Sequence, residues 1–421
     1  MNQSFSLPLF DLVTCMAGAV DLISPLVANH HMRVASVATA IAERLEWPRE
    51  VQTDVLLAGA LHDVGGFSNS ERADLMQFEV ERPHRHGLAG YALLKGFEPF
   101  ARPASFVRHH HVPWNEGRGV EFEGGQVDPA SHVLHLADRI SVLIQAREPT
   151  LAQVDGIRER IQQQTPARFV PEQVEAFLNL SERDSFWLDA VSPMAGQILA
   201  RRADLPRLTL DLLGLRAMAD LFRKLIDFRS RFTARHSRGV AAAAAALAHT
   251  AGFEDGDVRL MEIAGLFHDV GKLAIPSEIL EKAGRLTAYE YDVIRSHAWH
   301  SYRILECAPA LHTVRDWGAL HQERLDGSGY PFGLKGDQMP FGARIMAIAD
   351  VFTALAEDRP YRDALPRDEV VGYLEKLSGT GKIDGDIVQL LARHYEEVDL
   401  ARAEVQAESE REFQEFVEEV G

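Results

Sequence analysis

Two cysteines in 421 residues, Cys15 and Cys307, are too few for a disulfide framework and carry no metal-ligand spacing. Each sits in an apolar helical context, which predicts two buried free thiols and a reducing compartment, the cytoplasm. Long apolar runs are missing: no stretch approaches the roughly 18 uninterrupted residues that a membrane span requires. The most apolar N-terminal segment, residues 12–20, is flanked by Asp11 and Asp21 and lacks the basic start of a signal peptide, so the expectation is no export and no membrane. Positive charge is short, with 44 Lys and Arg against 62 Asp and Glu and a net charge of -18. Such a chain is a poor partner for DNA, because non-specific binding there depends on neutralising phosphates. A small phosphate ligand stays open wherever local Arg and Lys outweigh the mean. Strand-like alternation is scarce, and neither a nucleophilic triad nor a P-loop is found.

What is present is helical periodicity. The hydrophobic fraction of 46% and charged fraction of 25% fit a globular chain, and the length accommodates two domains. Helices are expected over 9–28 (broken near Pro25), 31–45, 50–62, 86–95, 130–147 and, as two short pieces, 171–202. A joint follows at 203–210. Further helices are expected over 211–228, 236–250, 258–268, 287–305, 310–321, 341–357, 367–377 and 384–396. The alanine run from Ala241 to Ala246 favours helix and lets neighbouring helices approach closely. The tail from 399 to 421 is acidic, with Phe413, Phe416, Val417 and Val420 forming a helical stripe. That stripe predicts a terminal helix packed on its own domain, with a homodimer contact as the alternative. The fold class is all-α.

Eighteen histidines are the compositional oddity, and their order repeats. In the second half His236, His268-Asp269, His297, His321 and Asp350 follow one another at spacings of 32, 28, 24 and 29. In the first half His31, His62-Asp63, His86, His110 and Asp138 follow at 31, 23, 24 and 28. The surroundings agree as well: His31-x-Arg33 matches His236-x-Arg238, and His62-Asp63-Val64-Gly65 matches His268-Asp269-Val270-Gly271. Single histidines on helix faces are usually satisfied core residues; the same ordered set twice is not.

Mixed His and Asp ligands suit two divalent transition metal ions, iron or manganese first, with nickel, cobalt or zinc also open. His236, His268, Asp269 and Asp350 would hold one ion. Asp269 would bridge to a second, with His297 and His321 as its other ligands. Two such cations can hold a bridging hydroxide that attacks phosphorus. Lys272, three residues beyond Asp269, lies on the same side of any helix they share and would neutralise a phosphate oxygen.

The segment from about Leu215 to Tyr395 resembles an HD-GYP domain, the branch of the HD metal-dependent phosphohydrolases that hydrolyses cyclic dinucleotides. The residues carrying this are residues 226–230 leading to His236-Ser237, then His268 to Lys272, His297, Glu323 to Pro331, residues 348–352 and residues 359–362. The resemblance implies a substrate pocket shaped by Gly329, Tyr330 and Pro331, with Arg359 and Arg362 gripping phosphates or a guanine edge. It implies c-di-GMP or 3'3'-cGAMP as substrate, opened to a linear dinucleotide and further to mononucleotides. It divides the chain into an HD-like regulatory or dimerising domain over 1–202, a linker over 203–210, a catalytic domain over 211–398 and the acidic helix over 399–421.

Three positions depart from the family pattern. Gln322 follows His321 where a second histidine is usual, which weakens the second metal site. Thr353 stands where an Asp is often found. Phe232 occupies the place of a third-metal Glu, which argues for two metals. The first half resembles an HD domain without the GYP signature. Its candidate ligands are His31, His62, Asp63, His86, His110, His111 and Asp138, but Gly66 stands where the lysine would be. The alternatives to a phosphodiesterase are a cyclic-dinucleotide receptor that turns over slowly and a general HD nucleotide phosphohydrolase.

Overall fold

Helical periodicity becomes helix in both halves of the computed structural model. It describes all residues except 1–3, 22–28, 67–82, 146, 203–206, 229–230, 281, 283, 360–361 and 421, and the side chains at 15, 19–21, 83, 202, 207 and 231–234 are also not described. The chain divides into two compact units, residues 8–206 with 419–421, and residues 1–7 with 207–418. Among the described residues no helix is long and apolar enough to cross a membrane.

The first unit holds α1 (Leu9–Asp21), α2 (His30–Arg44), α3 (Arg49–Leu61), α4 (Pro83–Leu94), α5 (Ala101–Arg108), α6 (Pro129–Leu143), α7 (Val154–Gln163), α8 (Pro171–Leu180), α9 (Asp184–Val191) and α10 (Ala195–Arg202). Nearly all of α2 is buried, so it runs through the core, packed on α3 and α6. Three short helices occupy 171–202 where two were expected. α7 was not foreseen, because only Ile157 and Ile161 of its ten residues are buried and the apolar signal is thin.

The second unit holds α11 (Leu212–Asp227), α12 (Arg231–Thr250), α13 (Asp255–Phe267), α14 (Ser277–Leu280), α15 (Ala288–Glu306), α16 (His312–Gly318), α17 (Phe341–Ala356), α18 (Arg367–Gly379), α19 (Gly385–Arg393) and α20 (Tyr395–Val420). Ala241, Ala243 and Ala244 of the alanine run are buried where α12 packs on α13 and α17. A capping box starts α15: the Thr287 hydroxyl accepts from the Glu290 N–H, and the Glu290 carboxylate accepts from the Thr287 N–H.

The all-α class holds with minor strand additions. Phe5–Pro8 (β1) pairs with Arg207–Leu210 (β4), and Glu121–Phe122 (β2) with Gly125–Gln126 (β3) in an antiparallel hairpin. The second half of the expected joint is therefore a strand; its residues 203–206 lie outside the described residues. α20 begins at Tyr395, earlier than the acidic composition suggests. It packs on its own unit through Phe416, whose ring centroid lies 4.4 Å from that of Phe228. Val417, placed on the same stripe by periodicity, is 49% exposed. Cys307 corrects the expectation of a buried thiol: it caps the C-terminal end of α15 and is exposed. The Cys15 side chain lies outside the described residues.

Candidate metal centres

In the second unit, α13 ends at Phe267 and hands the chain to a short 3-10 turn, Val270–Ala274. His268 and Asp269 sit at the junction. Asp269 and Lys272 thus share a tight turn rather than an α-helix, and three-residue spacing in such a turn stacks side chains. The Lys272 ammonium lies 2.5 Å from Asp269 Oδ2. Gly271 lets α15 approach the turn: a Cβ there would lie 2.0 Å from the His297 carbonyl oxygen. The Ser301 hydroxyl accepts from the Gly271 N–H at 2.9 Å and ties the two elements together.

Three histidines are oriented alike. The Nδ1–H of His268 donates to the Gly265 carbonyl at 2.7 Å, that of His297 to Ile294 at 2.6 Å, and that of His321 to Gly318 at 2.8 Å. Each Nε2 lone pair is thereby aimed inward. Burial lowers the pKa of His297 and pushes His321 down to about 3, so both rings are neutral. Their Nε2 atoms are 3.3 Å apart, and lie 3.3 and 3.8 Å from Asp269 Oδ1. His268 Nε2 lies 3.1 Å from Asp269 Oδ2.

The remaining corner is His236 and Asp350. His236 Nε2 lies 3.1 Å from Asp350 Oδ1, while its Nδ1 meets Glu357 Oε1 at 2.9 Å. Burial disfavours charge on His236, but the Glu357 and Asp350 carboxylates raise its pKa to about 9. Asp350 Oδ2 accepts from the Gln322 amide at 3.2 Å. Gln322 thus holds the carboxylate of Asp350.

Acceptors face acceptors here, which is unfavourable unless a cation lies between them. His268 Nε2 and Asp269 Oδ1 are buried with no hydrogen-bond partner. His236, His268 and Asp350 offer ligand atoms within 4.8 Å of one another, and so do His268, Asp269 and His321. Imidazole nitrogens mixed with carboxylate oxygens fit a divalent transition metal.

The first unit repeats the arrangement. His62 Nδ1 donates to Gly59 at 2.8 Å and His110 Nδ1 to Val107 at 2.6 Å. His86 and His110 face each other at 3.2 Å, and His86 lies 3.4 Å from Asp63 Oδ1. His62 Nε2, Asp63 Oδ1 and Asp138 Oδ1 are buried without partners. Asp63, His86, His110 and His111 form one cluster of ligand atoms. A second cluster, His30, His62 and Asp63, differs from expectation. Spacing pointed to His31, yet His30 Nε2 lies 3.3 Å from Asp138 Oδ1. The cause is Ser141, one turn beyond Asp138 on α6: its hydroxyl bonds His30 Nδ1 at 3.1 Å and is itself fixed by Arg33. The His31 ring packs against His62 with centroids 5.4 Å apart. Asp138 Oδ2 is held by buried Arg139 at 2.6 Å, where the second unit uses Gln322. Gly66, in the place of a lysine, is buried.

The Gly329-Tyr330-Pro331 turn is fixed by Glu323, which sequence reasoning left without a role. Its buried carboxylate accepts from the Phe332 N–H at 2.7 Å and the Leu334 N–H at 2.9 Å. Gly329 lies against the backbone of Glu323 and Arg324. The Tyr330 ring stands 6.4 Å from that of His297 and carries the Arg295 guanidinium 4.9 Å from its centroid. Arg359 reaches Glu357 at 2.7 Å and faces His236. The Arg362 guanidinium bonds the Leu355 and Ala354 carbonyls and so braces the end of α17. Thr353 is fully buried. The Phe232 side chain and residues 229–230 and 360–361 lie outside the described residues.

Family models described as HD domain match residues 220–387 and 27–143, together more than half of the chain. The chain is 29% identical over 406 residues to a 3'3'-cGAMP-specific phosphodiesterase 1 of Vibrio cholerae, covering 94% of this chain and 93% of that protein. It is 39% identical over 160 residues to a cyclic di-GMP phosphodiesterase response regulator of Xanthomonas campestris, covering 37% of this chain and 42% of the relative. A crystal structure of a cyclic GMP-AMP specific phosphodiesterase of V. cholerae superposes with a TM-score of 0.65 at 23% identity, over 94% of this chain and 98% of the other, and shares the fold.

Proposed function

The chain belongs to the HD-domain family, one such domain in each half, and on that premise we propose that it is a metal-dependent phosphodiesterase that opens a cyclic dinucleotide, 3'3'-cGAMP or c-di-GMP. The observation that carries the reading is the set of buried acceptors converging around Asp269 with no hydrogen-bond partner at His268 Nε2 or Asp269 Oδ1. Relatives named for this activity support the substrate class, one of them along nearly the whole chain.

His236, His268, Asp269 and Asp350 would hold one ion, and Asp269, His297 and His321 a second; their mixed imidazole and carboxylate donors suit divalent transition metals such as iron or manganese. Such ions activate water and neutralise charge on phosphate oxygens. The chain's own contribution is orientation. Backbone carbonyls fix the tautomer of His268, His297 and His321, and Glu357 fixes that of His236. Lys272, partly exposed beside Asp269, would meet a non-bridging phosphate oxygen. Tyr330, with Arg295 over its ring, offers a stacking face for a base, and Arg359 a charge for a phosphate. Water adds to phosphorus, one P–O ester bond of the ring breaks, and the leaving ribose oxygen takes a proton to give the linear dinucleotide.

We assign the domain over 1–202 a regulatory role. Its cluster supports metal binding, whereas buried Gly66 supplies no cation for phosphate. The receptor reading draws on Gln322, whose amide occupies the place of an imidazole and points at Asp350. Turnover separates the two. Purified protein with Mn²⁺ or Fe²⁺ should release linear dinucleotide from 3'3'-cGAMP or c-di-GMP. Binding without product would establish the receptor, and hydrolysis of mononucleotides alone the general phosphohydrolase.

A further inference from the structure

The acidic C-terminal helix α20 reaches the second centre from behind. Gln406, 2% exposed, donates its amide N–H to Glu357 Oε2 at 2.7 Å. Its own amide oxygen accepts from the Arg402 guanidinium at 2.5 Å, which fixes the amide's orientation. Arg402 is anchored in turn by Asp399 at 2.7 Å. The other Glu357 oxygen meets His236 Nδ1 at 2.9 Å and Arg359 at 2.7 Å. An unbroken polar chain therefore runs from Asp399 through Arg402, Gln406 and Glu357 to His236.

A second, independent feature shows that the fold accommodates this contact. Gly239 lies on α12 one turn beyond His236. A Cβ there would lie 2.5 Å from Gln406 Nε2 and 2.9 Å from its Cδ. Glycine inside a helix costs stability relative to alanine, and here it opens the cradle that the Gln406 side chain fills. Glu357, 5% exposed, would otherwise hold a carboxylate oxygen away from water without a donor.

We propose that Gln406 is a positioning residue that acts through Glu357 to set the His236 ring for metal, so that α20 is a working part of the second centre. The proposal rests on the reading of His236 as a ligand. Outer partners of ligating histidines commonly change metal affinity by about 10–100-fold when removed.

The test is a double-mutant cycle on Mn²⁺ binding by the apo full chain, in a background of His62→Ala with Asp63→Ala so that the first centre does not load. Gln406→Ala and Glu357→Gln are each expected to weaken Mn²⁺ binding about tenfold or more, with the two effects failing to add in the double variant. Gly239→Ala, which expels Gln406 from the other side, should reproduce the loss. Additive effects, or unchanged affinity in Gln406→Ala, would overturn the role of Gln406 while leaving the metal centre intact. A parent chain that binds no Mn²⁺ at this centre would overturn both readings.

Discussion

Gly271→Ala isolates the geometry of the second centre without touching a ligand. A Cβ at this position would stand 2.0 Å from the His297 carbonyl oxygen, 2.4 Å from the Ser301 nitrogen and 2.8 Å from His300 Cβ. Ordinary heavy-atom contacts are about 3.5 Å, so α15 must retreat by roughly 1.5 Å. Neither of the two closest obstacles is a side chain that can swing aside. Overpacking of this kind costs about 1–3 kcal/mol, against a domain stability of about 5–15 kcal/mol, so the unit should stay folded. Metal–ligand distances tolerate only about 0.2 Å. His297 rides on α15, and its Nε2 should therefore leave the cluster. Elemental analysis after Mn²⁺ loading, with thermal unfolding as control, is the assay. The expected result is a Tm lowered by several degrees, loss of bound metal and loss of turnover. Wild-type metal content and rate in Gly271→Ala would refute the claim that this close approach sets His297.

Lys272→Ala should spare metal and lower kcat about 100-fold or more, as removal of one charge-stabilising donor does; an unchanged rate would remove Lys272 from the chemistry. Glu323→Ala strands the Phe332 and Leu334 N–H groups, at about 1–3 kcal/mol, and should raise KM for the dinucleotide more than it changes metal content. Equal KM would mean the turn does not need its carboxylate. Gly65→Ala meets the His86 carbonyl oxygen at 2.1 Å and should cost metal in the first centre while turnover persists. Loss of turnover with a folded chain would contradict the assignment of the chemistry to the second unit.

The repeated histidine order made the two centres legible, because ligand residues recur at nearly fixed spacing whatever the intervening sequence. Spacing has a resolution of one residue at best: His30 and His31 are adjacent, and Ser141, which holds the His30 ring, is 111 positions from it. Glu357 escaped notice because its partner His236 is 121 positions away, joined only when the end of α17 comes back to α12. Gln406 was hidden in an acidic tail whose composition reads as solvated, although Arg402, Gln406 and Ser409 are buried. Arg362 has a role that its motif does not show: the end of α17 exposes carbonyls that its guanidinium caps. Glu323 opens the motif that runs to Pro331, yet its role stays hidden there, since nothing in sequence shows which backbone N–H groups a buried carboxylate meets.

The most direct test of the account is product analysis on 3'3'-cGAMP and c-di-GMP with Mn²⁺-loaded wild-type and Asp269→Asn proteins, metal content measured in parallel. Wild type should bind metal and release linear dinucleotide, and Asp269→Asn should lose both. Metal-free wild type that still hydrolyses the substrate, or Asp269→Asn that matches wild type in metal and rate, would contradict it.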